Sequence, residues 1–182
     1  MIYVFLAPGF EEIEALAVVD VLRRAELDVL TVGVGEDFVI GSHQIPVAAD
    51  IYERNLVLDE KVDALVIPGG MPGTLNLEKS AVVQNAIDWA VKNDKLICAI
   101  CAAPSILGHK GLLDGKKATC FPGFEEELFG AEVSKEFVVK DGKFITAKGM
   151  GSAIEFGLQI AEELANPLEV NKIRASLQIY NG

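Results

Sequence analysis

Four short, largely apolar runs rich in β-branched residues, Ile2–Leu6, Val29–Val34, Ala64–Ile67 and Leu96–Ile100, recur along this chain. Longer segments of helical period separate them. Runs this short, largely apolar and not alternating, read as strands covered on both faces. Between the first two, Glu12–Ala25 reads as a helix with Ile13, Leu16, Ala17 and Val21 on one face. Ala81–Lys92 reads as a helix that leads into the fourth run. Strands alternating with helices imply an α/β, doubly wound, mainly parallel sheet with helices on both sides. Ligands of such sheets bind at the carboxyl ends of the strands.

The remaining segments fit round that core. Phe38–Ala48, with Gly41 and Pro46 inside it, reads as a hairpin or edge excursion. Phe124–Phe129 reads as helical. Glu136–Val139 and Phe144–Thr146, joined through Asp141-Gly142, read as a β-hairpin. Ser152–Leu164 and Leu168–Ile179 close the chain as helices, the second opened by Asn166-Pro167. No repeat or linker interrupts the pattern, and 182 residues suit one domain spanning 1–182.

The net charge of −11 repels phosphate backbones and anionic membrane surfaces, so no nucleic-acid partner is expected. The longest stretches free of charged residues, Ala64–Leu77 and Leu96–His109, have 14 residues each. Spanning a bilayer takes roughly 18 to 20, so no membrane partner is expected either. Met1–Ala7 lacks a basic start and its apolar run stops at Pro8-Gly9, too early for a signal peptide. Three cysteines are too few for a disulfide framework. A cytoplasmic protein is the expectation.

The chemistry points to one strand end. Leu96–Ile100 runs into Cys101-Ala102-Ala103-Pro104, where Pro104 suits the first turn of a helix and Cys101 stands at the corner. Hydrolases carry their nucleophile on such an elbow, with small residues two before and two after it; here these are Ala99 and Ala103. A helix start favours thiolate over thiol, so Cys101 is expected to be more acidic than a free cysteine. Cys98 and Cys101 spell C-x-x-C, but Cys98 lies inside the strand, where residues three apart face opposite ways. Cys98 reads as core packing, and no set of zinc ligands is visible.

Two other segments reach the same rim. Phe10-Glu11-Glu12-Ile13-Glu14 opens the first helix directly after the first strand. Glu14 shares its helical face with Phe10, Ala17, Val18 and Val21, surroundings that raise a carboxyl pKa. Glu11 and Glu12 read as solvated first-turn acids. Pro68-Gly69-Gly70-Met71-Pro72-Gly73 follows the third strand, where glycines let backbone N–H groups approach a ligand. Composition alone fits a plain tight turn there equally well. Gly149-Met150-Gly151 reads as a turn.

Taken in order, these segments resemble the ThiJ/DJ-1/PfpI superfamily over essentially the whole chain. The likeness rests on Gly9–Glu14, Val19–Ala25, Leu65–Gly70, the Ala99–Ala102 elbow and Gly149–Phe156, and is greatest to the small ThiJ/DJ-1 branch. It implies a flavodoxin-like fold and a homodimer. It also implies Cys101 as nucleophile, Glu14 as a protonated acid hydrogen-bonded to the sulfur, and the Gly70 and Ala102 N–H groups as an oxyanion site. No metal or organic cofactor is implied. Activities attributed to the superfamily include glutathione-independent glyoxalase action on methylglyoxal, a deglycase activity, redox sensing and chaperoning. Peptidase and thiazole-biosynthesis assignments also occur.

The chain departs from that pattern twice. Ala102 follows Cys101 where PfpI-type members often place a histidine, and Phe121 stands where several relatives have one before Pro122. Of the two histidines, His43 lies in the edge excursion and His109 eight residues past Cys101, ~12 Å along a helix, which makes it a poor base for the sulfur. Three readings follow: an enzyme using Cys101 and Glu14 on small carbonyls, a redox sensor or chaperone oxidised at Cys101, and a peptidase or amidase.

Overall fold

The computed structural model describes residues 1–178. Its centre is β1 (Ile2–Leu6), a fully buried strand flanked in parallel by β2 (Val29–Gly33) on one side and β6 (Ala64–Ile67) on the other. β5 (Ile51–Tyr52) extends the sheet beyond β2. β7 (Leu96–Ile100) and β11 (Phe144–Ala147) extend it beyond β6, and β10 (Val138–Asp141) closes that edge as the one antiparallel strand. The seven-stranded order is β10-β11-β7-β6-β1-β2-β5. Strand order reverses direction at β1, so the crevice between β1 and β6 is the switch point where ligands of such sheets sit.

Alternation along β1 divides the interior in two. Ile2, Val4 and Leu6 face a layer built from α1 (Glu12–Arg24), α5 (Ala153–Leu164) and α6 (Pro167–Ser176). Tyr3 and Phe5 face α2 (Gly73–Lys79), α3 (Ala81–Lys92) and α4 (Pro104–His109). The flavodoxin-like α/β sandwich inferred from the sequence is therefore the fold. α1 packs closely on α5 at Gly157, where an added β-carbon would lie 3.1 Å from Val21 Cβ.

Two small sheets stand apart from the main one. β3 (Phe38–Ile40) and β4 (Pro46–Ala48) form the expected hairpin, and β8 (Lys117–Ala118) pairs with β9 (Glu132–Val133). Thr119 N–H donates to Thr146 Oγ1 at 2.9 Å, which ties the segment after β8 to β11. The β10–β11 hairpin turns through Gly142, with Asp141 opposite Phe144.

Several expectations are corrected. Phe124–Phe129 forms only a 3₁₀ turn over Glu125–Glu127, and α2, β5, β8 and β9 have no counterpart in the sequence reading. On α1, Ile13 and Leu16 are exposed, while Ala15, Val18, Val19 and Leu22 enter the core. Predicted helix 168–179 is α6, ending at Ser176; Ile179 lies outside the described residues. Among the described residues, no helix is long and apolar enough to cross a membrane.

Candidate active site

The loops leaving β1, β6 and β7 converge at the switch point and bring the predicted residues together. Cys101 follows β7 with φ of 66°, a left-handed conformation that a side chain adopts only at local cost. Its N–H donates to Ala147 C=O at 2.9 Å, and its own C=O accepts from Phe121 N–H at 2.8 Å. Ala99 and Ala103, the small residues on either side, are fully buried. Cys101 alone of the three cysteines is partly exposed; Cys98 and Cys120 are buried, and all three are free thiols.

Glu14 reaches the sulfur from α1 and is only 1% exposed. Its Oε2 accepts from Gly69 N–H at 3.0 Å, its carboxylate accepts from Met150 N–H, and it is hydrogen-bonded to Cys101. Burial lifts this carboxyl to about 7, aided by the charge of Glu11, while those hydrogen bonds pull it down. Burial, the Glu14 charge and the hydrogen bond to Glu14 push the Cys101 thiol up to about 12. The Ala102 and Gly70 amides lie against the sulfur and oppose that rise. The expected acidic cysteine is thus corrected: α4 is a short helix beginning three residues on, and desolvation plus a neighbouring carboxylate outweigh its dipole.

Gly70 needs glycine for its backbone, and Gly69 leaves no room for a side chain unless its neighbours move. Gly70 has φ of 91°, and a β-carbon there would lie 2.4 Å from Glu11 N. On Gly69 it would lie 2.6 Å from both Cys101 Cβ and Glu14 Oε2. Gly69 and Met150 were not singled out from sequence, since the glycine loop was read for its Gly70 N–H and Gly149-Met150-Gly151 as a turn. The G-M-G run directly before a helix was the available signal. It forms a 3₁₀ turn over Met150–Ser152.

Glu11 and Glu12 are buried, against the expectation of solvated acids. Glu11 Oε2 caps α1 by accepting from Glu14 N–H at 2.7 Å. Glu12 Oε1 accepts from His43 N–H at 2.8 Å, and its Oε2 faces His43 Nδ1 at 3.0 Å. The ligand-type atoms of Glu11, Glu12 and His43 lie within 4.8 Å of one another, the one such group among the described residues. Those carboxylates are already engaged by protein donors. His109 is held by Glu78 and Glu127, so both histidines bind carboxylates away from Cys101.

A doubly wound sheet with a cysteine elbow, a buried carboxyl and converging amides at its switch point defines the class of cysteine-elbow α/β proteins. Residues 1–163 match the model of the DJ-1/PfpI family, and the chain belongs to that family. Protein dj-1beta of Drosophila melanogaster is 38% identical over 182 residues, covering 98% of this chain and 97% of its own. The crystal structure of that fly protein superposes with a TM-score of 0.91 at 36% identity, over 98% of this chain and 97% of its own. The glutathione-independent glyoxalase DJR-1.2 of Caenorhabditis elegans is 33% identical over 165 residues, covering 90% of this chain and 87% of its own.

Proposed function

We propose that this chain is a cofactor-free enzyme acting on small reactive carbonyls, a glutathione-independent glyoxalase that converts methylglyoxal and water to lactate. The observation that carries this reading is the Cys101–Glu14 hydrogen bond, set among the Gly69, Gly70, Ala102 and Met150 amides. The similarity to a nematode protein named as a glutathione-independent glyoxalase supports it.

The pair holds one proton between sulfur and carboxyl in the state that reacts. The thiolate adds to the aldehyde carbon, a carbon–sulfur bond forms, and the new oxyanion faces the Gly70 and Ala102 N–H groups. Glu14 gives that oxygen its proton. As carboxylate, Glu14 then removes the proton from the same carbon and delivers it to the neighbouring carbonyl carbon, while the hydroxyl proton passes to the carbonyl oxygen. A thioester of lactate results, and water hydrolyses it to lactate and free Cys101. A carboxyl lifted to about 7 suits both directions of transfer near neutral pH. Purified protein should therefore form lactate from methylglyoxal, Cys101→Ser should abolish it, and Glu14→Gln should cost ~10²–10⁴ in rate. No lactate above buffer, or full activity in Glu14→Gln, overturns the mechanism.

One observation favours a second reading, an oxidation sensor: Cys101 is the accessible thiol of the three. Peroxide followed by peptide mass spectrometry should find sulfinic acid at Cys101, with Cys98 and Cys120 spared. A peptidase or amidase of the Cys–His design would need a histidine at the sulfur, and both histidines bind carboxylates elsewhere.

The protein is also proposed to work as a homodimer. Ile13, Leu16, Ile45 and Met150 are exposed, and Ile13, Ile45 and Met150 line one shallow depression beside the site. Light scattering should give about twice the 19.5 kDa chain mass. The monomer mass would remove this assignment.

A further inference from the structure

We propose that Thr146 is a positioning residue for Cys101: its hydroxyl oxygen joins the two chain segments that hold the nucleophile's backbone. The inference rests on the reading of Cys101 as the reacting thiol, and not on which carbonyl it attacks.

A cysteine with φ of 66° leaves that conformation readily unless its neighbours prevent it. Cys101 has one restraint on each side. Its N–H donates to Ala147 C=O at 2.9 Å, and its C=O accepts from Phe121 N–H at 2.8 Å. The first partner ends β11 in the main sheet, where Ala147 stands opposite Ile100. The second lies in the segment that follows β8, outside that sheet. Both restraints must hold to keep the sulfur against Glu14 and the Gly70 and Ala102 amides.

Thr146 ties the second segment to the first. Its Oγ1 accepts from Thr119 N–H at 2.9 Å. Thr119 stands two residues before Phe121, and Thr146 one before Ala147. Ile145 and Ala147 point into the layer of α1 and α5, and the pleat turns Thr146 the other way, to the side of Ala118 and Cys120. Thr119 and Thr146 are 0% and 1% exposed, so water does not replace either partner. The neighbouring link, Lys117 N–H to Asp141 Oδ2 at 2.8 Å, is exposed and farther from Phe121. Valine has nearly the shape of threonine and lacks the oxygen. In Thr146→Val the Thr119 N–H is buried without an acceptor, a state the chain leaves by turning that peptide. Phe121 N–H then swings off Cys101 C=O, and the cysteine relaxes and carries its sulfur away from Glu14.

The test reads amide exchange at Phe121 and the pH profile of Cys101 alkylation by iodoacetamide, in Thr146→Val, Thr146→Ser and Ile145→Val. In Thr146→Val, exchange at Phe121 should quicken by roughly tenfold. The native alkylation profile, one step for each proton of the Cys101–Glu14 pair, should collapse to one step. Thr146→Ser restores the acceptor and should return both readings to native values. Ile145→Val loosens the same strand on its other face and should change neither. Native exchange and a native profile in Thr146→Val overturn the proposal, and so does Thr146→Ser behaving like Thr146→Val. Should Thr146→Val not fold, the native chain decides. Thr119 and Phe121 amides opening at one rate support the link, and Phe121 opening faster than Thr119 overturns it. In lactate formation, folded Thr146→Val should lower kcat by roughly a hundredfold with KM little changed. A collapsed profile in Thr146→Val, with no lactate formed by the native protein, keeps the positioning role and removes the glyoxalase reading. Lactate formation with the native profile retained in Thr146→Val does the reverse.

Discussion

The carboxyl of Glu14, on the first helix, is hydrogen-bonded to the sulfur of Cys101 at the end of β7, and each holds the other away from its ordinary titration. Two acids in contact lose their protons as a pair, in steps that belong to both. The first proton leaves near 7 and the second near 12. Between those values the site carries one negative charge, held mainly on the Glu14 carboxylate beside the protonated thiol, and transfer of the remaining proton to Glu14 gives the thiolate.

Alkylation of Cys101 against pH should accordingly rise in two steps, the first near 7 and the second toward 12. Glu14→Gln removes a charge and an acceptor that both raise the thiol, so the second step should vanish. A single step should replace both, lying below the upper one by roughly a unit or more. An unchanged profile in Glu14→Gln would show that the two groups do not share a proton.

The same pair makes stability depend on pH in a definite direction. Glu14 is lifted from an ordinary 4.5 to about 7 in the fold, so the folded state binds its proton more tightly than the unfolded chain. Its contribution is fully present below the ordinary value and is lost as pH rises through 7. The shift corresponds to roughly 3 kcal/mol. Urea unfolding at pH 5 and pH 8 should show Glu14→Gln gaining on the native protein by about that amount at the higher pH. No change in the difference between the two pH values would count against a proton held by Glu14.

The sheet and the elbow were legible because their signals are local. Short apolar runs rich in β-branched residues and bounded by turn residues read as strands buried on both faces, and Cys101 between Ala99 and Ala103 needs no distant residue to be noticed. Glu14 was legible from its helical neighbours. What failed were features decided by tertiary contact. Glu11 and Glu12 look solvated in a polar cluster, yet the β3–β4 hairpin folds over Glu12 and supplies His43 N–H and Ser42 Oγ to its carboxylate. Ile13 and Leu16 fit the helical period, but the stripe that packs on α5 is the one through Val18, Val21 and Leu22. Met150 enters the site through its backbone N–H, a donor that every non-proline residue carries and no side chain announces.

His109 supplies a separate pH-dependent clasp. Its two ring nitrogens engage Glu78 on α2 and Glu127 in the 3₁₀ turn, and its ring lies 5.2 Å from Phe129. Those two carboxylates raise its pKa, against some desolvation. A raised histidine stabilises the fold fully below its unfolded value of ~6.5, and the contribution fades as pH climbs through the folded value. The thermal midpoint lost in His109→Gln should therefore be larger at pH 5.5 than at pH 8.5. Equal losses would mean that the imidazole acts by packing alone.

Gly69 offers the sharpest test of the site's geometry. Its φ lies outside the left-handed region, so alanine meets no backbone penalty there, and the only obstacle is space. That obstacle is chiefly the pair: the added carbon would sit 2.6 Å from Cys101 Cβ and from Glu14 Oε2, and 3.0 Å from the Ile100 carbonyl oxygen, so the Glu14 carboxyl must move away from Cys101. Overpacking of this kind costs about 1–3 kcal/mol, which a folded chain of this size survives. A displacement of ~1 Å between reacting groups is enough for roughly a hundredfold loss in rate. Gly69→Ala should thus stay folded by circular dichroism, lose at least that factor in lactate formation, and collapse the two-step alkylation profile toward one step. Retention of both steps in a folded Gly69→Ala would show that the pair tolerates separation, and the mechanism that passes a proton between Glu14 and the Cys101 adduct would have to be abandoned.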